Sequence, residues 1–247
     1  MVIGMSFTVN LTNELTRMFK KKKTIVFLII NLVICMGAVA SSLILSLSTK
    51  VQISNIWAGL HTVFFYGVLP MYIFIETLEI FTQEMSTGLI RNILIRPITR
   101  IKVYSSKIMA IGIFILFQII TIIIFCTLIS LISRYNINTI ATGIMSYLIS
   151  FIPLLAFVFV AALIAQLVKN GLLGMLFCLF FTFVCYATEL FFVYASAFIF
   201  TRHLKMYRMV LTDNINGTGI ISALLIIGAV ILCSFASGFL LFSKKEY

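Results

Sequence analysis

The chain has 247 residues, 62% of them hydrophobic and 10% charged, and its mean hydropathy is +1.18. A domain that folds in water carries about 25% charged residues, so this composition excludes a soluble fold and makes the lipid bilayer the solvent. The balance of 18 Lys+Arg against 7 Asp+Glu gives +11, which in so apolar a chain reads as the topological bias of a membrane protein, not as a footprint for nucleic acid.

The chain opens with an amphipathic segment, residues 1–23. Phe7, Leu11, Leu15 and Met18 recur at helical spacing, while Asn10, Asn13, Arg17 and Lys20 fall largely elsewhere around the wheel. That pattern predicts a helix lying along the cytoplasmic surface and leading into the cluster Lys20 to Lys23. It would anchor the first span to anionic lipid and could take part in a protein contact. Four lysines, an apolar run and Ala38-Val39-Ala40 also resemble a cleavable leader, but the run continues to Leu47. A retained first span is the expectation.

A helix needs about 20 apolar residues to cross the hydrocarbon. Six stretches satisfy this: 24–48, 60–82, 107–132, 144–168, 172–200 and 219–242. The only charged residues in them are Glu76, Glu79, Lys107 and Glu189. Such segregation predicts an all-α membrane protein, with a six-helix domain over 24–247, and not a barrel of short alternating strands. Six crossings put both termini on one side. That side would hold Arg17, Lys20 to Lys23, Arg91, Arg96, Arg100, Lys102, Lys107, Lys169, Lys244 and Lys245, against Lys50, Arg134, Arg202, Lys205 and Arg208 opposite. The bias places both termini in the cytoplasm.

In the second span Pro70 predicts a kink. Glu76, Glu79 and Gln83 follow at i, i+3 and i+7 and share a face. Intramembrane carboxylates are candidates for a pathway or proton role, yet these two lie close enough to the interface to reach water or pair with loop arginines. The connection 83–106 follows. Leu89 and Ile93 share one helical face, with Ile90 and Leu94 beside them, and Pro97 stops the helix. Apolar knobs flanked by arginines would bury themselves in headgroups or in a groove on a partner protein.

Glu84, Gly88, Leu89, Leu94, the run Arg96-Pro97-Ile98 with Arg100, and Lys107 at the next span resemble an acidic–Gly–Leu–Arg-Pro pattern. It is found between the second and third spans of type-2 ABC exporter permeases, the six-helix bacterial membrane subunits of ABC transporters. The amphipathic start, span count and length extend the likeness over nearly the whole chain. The resemblance implies that this connection is a cytoplasmic coupling helix docking on a separate ATP-binding subunit. Glu84, Gly88, Leu89, Ile93, Arg96, Pro97 and Arg100 would then be its coupling residues. It also implies a bacterial cytoplasmic-membrane location, a second permease copy or a homologous permease as partner, and ATP and Mg held by the ATPase subunit. No Gly-Lys dipeptide occurs in the chain, so the phosphate-cradling loop of a P-loop ATPase is missing from it. The chain is expected to be a non-catalytic subunit that binds no cofactor itself, with membrane lipid and no nucleic acid among its partners.

Lys169-Asn170-Gly171 reads as a tight inner turn in which Gly171 suits a left-handed helix end. The fifth stretch is longer than a straight crossing requires and carries Glu189 in its outer half, facing a cavity or a partner helix. Beyond it Phe200, Leu204, Tyr207 and Leu211 recur at helical spacing, which predicts an interfacial helix within an outer segment, 201–218, its basic residues toward water. In the resembling family this place often holds a re-entrant or interfacial element beside the exit. Asn216-Gly217-Thr218 matches a glycosylation sequon without a context that would use it.

No catalytic set emerges. His61 and His203 have no neighbouring carboxylate or cysteine at ligand spacing, so no metal site is expected. Cys35, Cys126, Cys178, Cys185 and Cys233 lie inside apolar runs and read as small buried hydrophobes. Two functions compete: an exporter permease driven by a partner ATPase, and a self-sufficient secondary transporter or channel using Glu76, Glu79 and Glu189. An internal repeat would favour the second, and the halves show none. The many Phe, Ile, Leu and Met residues suit an amphipathic cargo such as an antimicrobial peptide or an antibiotic, though lipid-facing helices need the same composition.

Overall fold

A computed structural model describes residues 5–49, 56–83, 99–132, 136–168, 170–192, 194–207 and 217–244. The described residues are almost all helical and contain no strand. Five helical stretches among them are long and apolar enough to cross a membrane: Trp57–Thr82, Arg100–Leu131, Ile137–Leu167, Gly171–Phe191 and Gly217–Lys244.

Helix α1 (Met5–Lys20) is followed after one residue by α2 (Lys22–Thr49). The last carbonyls of a helix need partners. Here the buried Thr24 hydroxyl donates to the Met18 carbonyl at 2.6 Å, which holds the bend at Lys21. Met18 is buried, with Leu11 and Leu15 packed beside it, whereas Thr8, Thr12 and Thr16 face outward. The apolar face of α1 packs along the beginning of the third long helix, α5 (Arg100–Ile132): Phe19 meets Phe114 and Phe117 at ring distances of 5.0 and 5.1 Å.

The second stretch is one bent helix. α3 (Ile56–Val63) widens into a π turn over Phe64–Val68, continues as α4 (Leu69–Leu78) and widens again over Glu79–Gln83. Pro70 explains the first widening. Proline has no N–H, so it leaves the carbonyl four residues earlier without its helical donor. That carbonyl belongs to Tyr66, and the Tyr186 hydroxyl donates to it at 3.1 Å. The kink is therefore paid for by a hydroxyl from another span, a common resolution for proline within the bilayer.

The helix α5 has 33 residues, about 50 Å at 1.5 Å per residue, so its first turns extend past a hydrocarbon layer about 30 Å thick. It begins seven residues earlier than the predicted span. α6 (Ile137–Ile149) and α7 (Phe151–Leu167) form one crossing broken at Ser150, because Pro153 cannot donate back to Ile149. The turn before α8 (Gly171–Phe191) differs from the expectation of a left-handed glycine. Asn170 adopts an extended conformation and caps α8, its Oδ1 accepting from Leu172 N at 3.1 Å. Gly171 is instead a close-approach site, where a Cβ would stand 3.2 Å from Thr82 Oγ1.

The predicted fifth span, 172–200, is shorter in the structure. α8 ends at Phe191, and the chain turns back as two 3₁₀ segments, Ala195–Phe198 and Phe200–Met206. α9 (Gly217–Lys244) completes the described fold. It packs on α5 and α7 at Gly238, where a Cβ would collide with the Tyr104 hydroxyl and stand 3.6 Å from the Leu163 Cα, so a larger residue there would displace the tyrosine ring. The cores of Trp57–Thr82, α5 and the α6–α7 crossing are about half buried, against 22% for α8 and 17% for α9. The last two helices present most of their surface outward.

Candidate functional site

Two polar constellations stand at opposite ends of the bundle. The first is at the end where Gln83 leaves the second stretch and Arg100 begins α5. Antiparallel packing puts Tyr72 against Phe114 and Phe81 against Tyr104, so Glu76, Glu79 and Lys107 lie at similar depth. Glu76 is fully buried, and its Oε2 takes the Lys21 ammonium at 2.9 Å. Glu79 Oε1 is 3.5 Å from the same nitrogen, and Glu79 Oε2 contacts Lys23. Lys107, 1% exposed, donates to Glu14 Oε1 at 2.8 Å. Three carboxylates thus face three ammonium groups, and buried charge is tolerable only when so paired. The partners of Glu76 and Glu79 among the described residues are lysines of the α1–α2 bend, where loop arginines were also expected. At the same end Arg100 donates to the Ser243 carbonyl near the end of α9, a favourable place for a cation beside unpaired helix carbonyls.

Of the coupling residues, Arg100 is therefore exposed and bound to α9. Glu84, Gly88, Leu89, Ile93, Arg96 and Pro97 lie outside the described residues. Glu14 was not singled out in the sequence. A legible sign existed, since it stands at i+3 from Leu11 and i−4 from Met18, an acid on the apolar face of its helix.

Deeper in, Asn31 of α2 donates to Gln118 Oε1 of α5 at 2.7 Å, both side chains buried. An apolar groove of about 480 Å³ runs between α7 and α8, lined by Ile164, Leu167, Phe177, Phe180, Phe181 and Val184.

The second constellation is at the far end. Glu189 does not face an open cavity. Its Oε1 accepts from the Thr201 hydroxyl at 2.7 Å and its Oε2 takes Lys205 Nζ at 2.8 Å. Residues 201–207 of the expected outer segment are thus folded against α8, while 208–216, with Leu211, lie outside the described residues. Phe200 packs edge-on to Phe157 at 4.8 Å and stacks on Phe181, the midpoint of α8, at 6.4 Å. Phe200, Leu204 and Tyr207 are buried. The periodicity that suggested a helix in the interface instead supplies the buried face of a 3₁₀ segment, because its apolar side chains find protein on three sides. Arg202 donates to Ser196 Oγ at 2.7 Å. Burial, reinforced by the adjacent Arg202, holds the His203 imidazole below its usual 6.5, with the Ala197 carbonyl and Glu189 opposing.

Tyr207 closes this element onto the second stretch. Its ring stacks on His61 at 3.7 Å, and His61 stacks on Phe65 at 4.2 Å with Tyr147 edge-on. His61 Nε2 meets Ser150 Oγ at 2.7 Å, at the break in the α6–α7 crossing. Trp57 beside it donates to Ser130 at 3.0 Å and covers Gly143.

A family model described as an ABC-2 family transporter protein matches residues 11–185. No curated protein matches the chain. The match runs from α1 through most of α8, and with the apolar helices described above it makes this chain a multi-pass membrane protein belonging to the ABC-2 transporter permease family.

Proposed function

We propose that the chain is the permease subunit of an ATP-driven exporter, with six spans and both termini in the cytoplasm of a bacterium. In this reading α2 is the first span, the 83–106 connection is the coupling helix, and a second permease completes the pathway. A separate ATP-binding subunit, holding ATP and Mg, docks on the connection. An amphipathic cargo, such as a peptide or antibiotic, suits the apolar groove between α7 and α8.

One observation carries the proposal. Both flanks of the connection are bolted to the amphipathic start of the chain: Glu76 and Glu79 to Lys21 and Lys23 on one side, Lys107 to Glu14 on the other. A push on the connection would therefore move α1, the second stretch and α5 together, and would not be absorbed by a slack loop. The competing secondary-transporter reading loses support at the same place, since Glu76, Glu79 and Glu189 are each already paired with lysine.

Replacing Leu89 or Ile93 by Asp tests the docking. An unpaired charge in a buried contact costs about several kcal/mol, so co-purification with the ATP-binding subunit should be lost while membrane insertion persists. Retained association by both variants would reduce the connection to a topological anchor.

A further inference from the structure

The far-end element is built like a plug with two fastenings. It leaves α8 after Phe191, dips until Phe200 lies against the middle of that helix, and returns to the start of the second stretch at Tyr207. Its apex is wedged between Phe157 and Phe181, and Phe181 also lines the groove between α7 and α8. The buried surfaces of Phe200, Thr201 and Leu204 are therefore surfaces it makes with the bundle, not within itself. A 3₁₀ segment of seven residues has poor internal hydrogen bonding and depends on what holds it from outside. The fastenings supply that. On one side Glu189, its side chain 5% exposed, takes both Thr201 and Lys205, while Lys205 remains 43% exposed. On the other, Tyr207 lies on His61.

We propose that Glu189 is a positioning residue that latches residues 194–207 over the far mouth of the α7–α8 groove, and that Lys205 is the half of the latch which water can reach and release. The inference rests on the exporter reading for its meaning as an exit, but not for its geometry. It also lies outside the 11–185 match, so it concerns a feature of this chain that the family match does not cover. Glu189 is not a substrate or proton site here; it holds the plug, and Phe200 occupies the space an emerging apolar group would need. The polarity of the fastening is asymmetric. Its buried carboxylate stays with α8, and its exposed ammonium travels with the plug.

Aqueous accessibility of Leu204, which is fully buried, tests the latch in the full-length protein in membranes. In a background with the native cysteines replaced, Leu204→Cys should react slowly with an impermeant maleimide. Adding Glu189→Gln or Lys205→Met should raise the rate about fivefold, the shift expected when one partly exposed ion pair is lost. The exchange of Glu189→Lys with Lys205→Glu should restore protection. Ala165→Cys, equally buried in α7, should stay protected in every background. An unchanged rate at Leu204→Cys would overturn the latch, as would an equal rise at Ala165→Cys, which would report general loosening. The exporter reading is separable. With the ATP-binding subunit present, ATP should raise Leu204→Cys labelling in the protein that keeps Glu189. If ATP has no effect while Glu189→Gln still does, the latch stands and ATP-driven opening falls.

Discussion

The two ends of the bundle use the same chemistry, carboxylate against lysine, to opposite effect. At the connection end two pairs, Lys21 with Glu76 and Lys107 with Glu14, join residues 55 and 93 positions apart through lysines 14% and 1% exposed, and only Lys23, on Glu79, reaches water, at 44%. At the far end Glu189 and Lys205 are 16 positions apart and the lysine is 43% exposed. A pair withdrawn from water cannot open without stranding a charge, so it behaves as a rivet. A pair with one partner in water exchanges its bond for hydration at little cost, so it behaves as a clasp. The difference between a fixed pair such as Lys107 with Glu14 and a releasable one such as Lys205 with Glu189 is thus written in the solvent exposure of the lysine and not in residue type.

The sharpest break of that contrast is Lys107→Met. It leaves Glu14 buried and charged without a partner, and should destabilise the folded protein by about 3–5 kcal/mol. Thermal unfolding in detergent would show this as a large loss, and Glu14→Gln added to it should recover most of the loss. A Lys107→Met protein as stable as the parent would mean that the connection end is no more rivetted than the far end. Lys205→Met should cost less, because the Glu189 carboxylate it leaves keeps the Thr201 hydroxyl as a donor and the lysine was already 43% exposed. A loss approaching that of Lys107→Met in the same assay would erase the distinction.

The smallest effect expected is on pH. The docked plug holds His203 below 6.5, so docking favours the neutral imidazole and is undiminished above pH 6.5. As pH falls below that value the released plug binds a proton more readily than the docked one, and docking weakens. Arg202 reinforces this, while Glu189 and the Ala197 carbonyl oppose it. Leu204→Cys labelling, normalised to an exposed cysteine, should rise modestly from about pH 7.5 to about pH 5.5. His203→Gln should flatten the profile, and an unchanged slope in that variant would assign the effect elsewhere.

Helical crossings are legible in this sequence because the bilayer accepts few alternatives: long apolar runs must satisfy their backbone internally. The helix at residues 5–20 was legible for a related reason, as Leu11, Leu15 and Met18 recur at helical spacing and pack inward together. Gln83 and Arg100 bracket a connection whose chemistry was read from pattern and resemblance, and the residues between them are left to the docking experiment. What the sequence could not supply was partnership. Glu76, Glu79 and Glu189 were visible as charges in apolar runs, but nothing local says that Lys21, Lys23 and Lys205 reach them.

The periodicity of Phe200, Leu204 and Tyr207 indicates one apolar face and is silent on what covers it; in the structure α7, α8 and α9 pack against the 3₁₀ segment and that face is buried. The composition and its segregation alone determined the solvent and the helical class, because each depends on residue type along the chain, whereas the family likeness rested on the pattern from Glu84 to Lys107. Which charges are rivets and which a clasp was decided only in three dimensions, since desolvation depends on every neighbouring element and not on the residue that bears the charge.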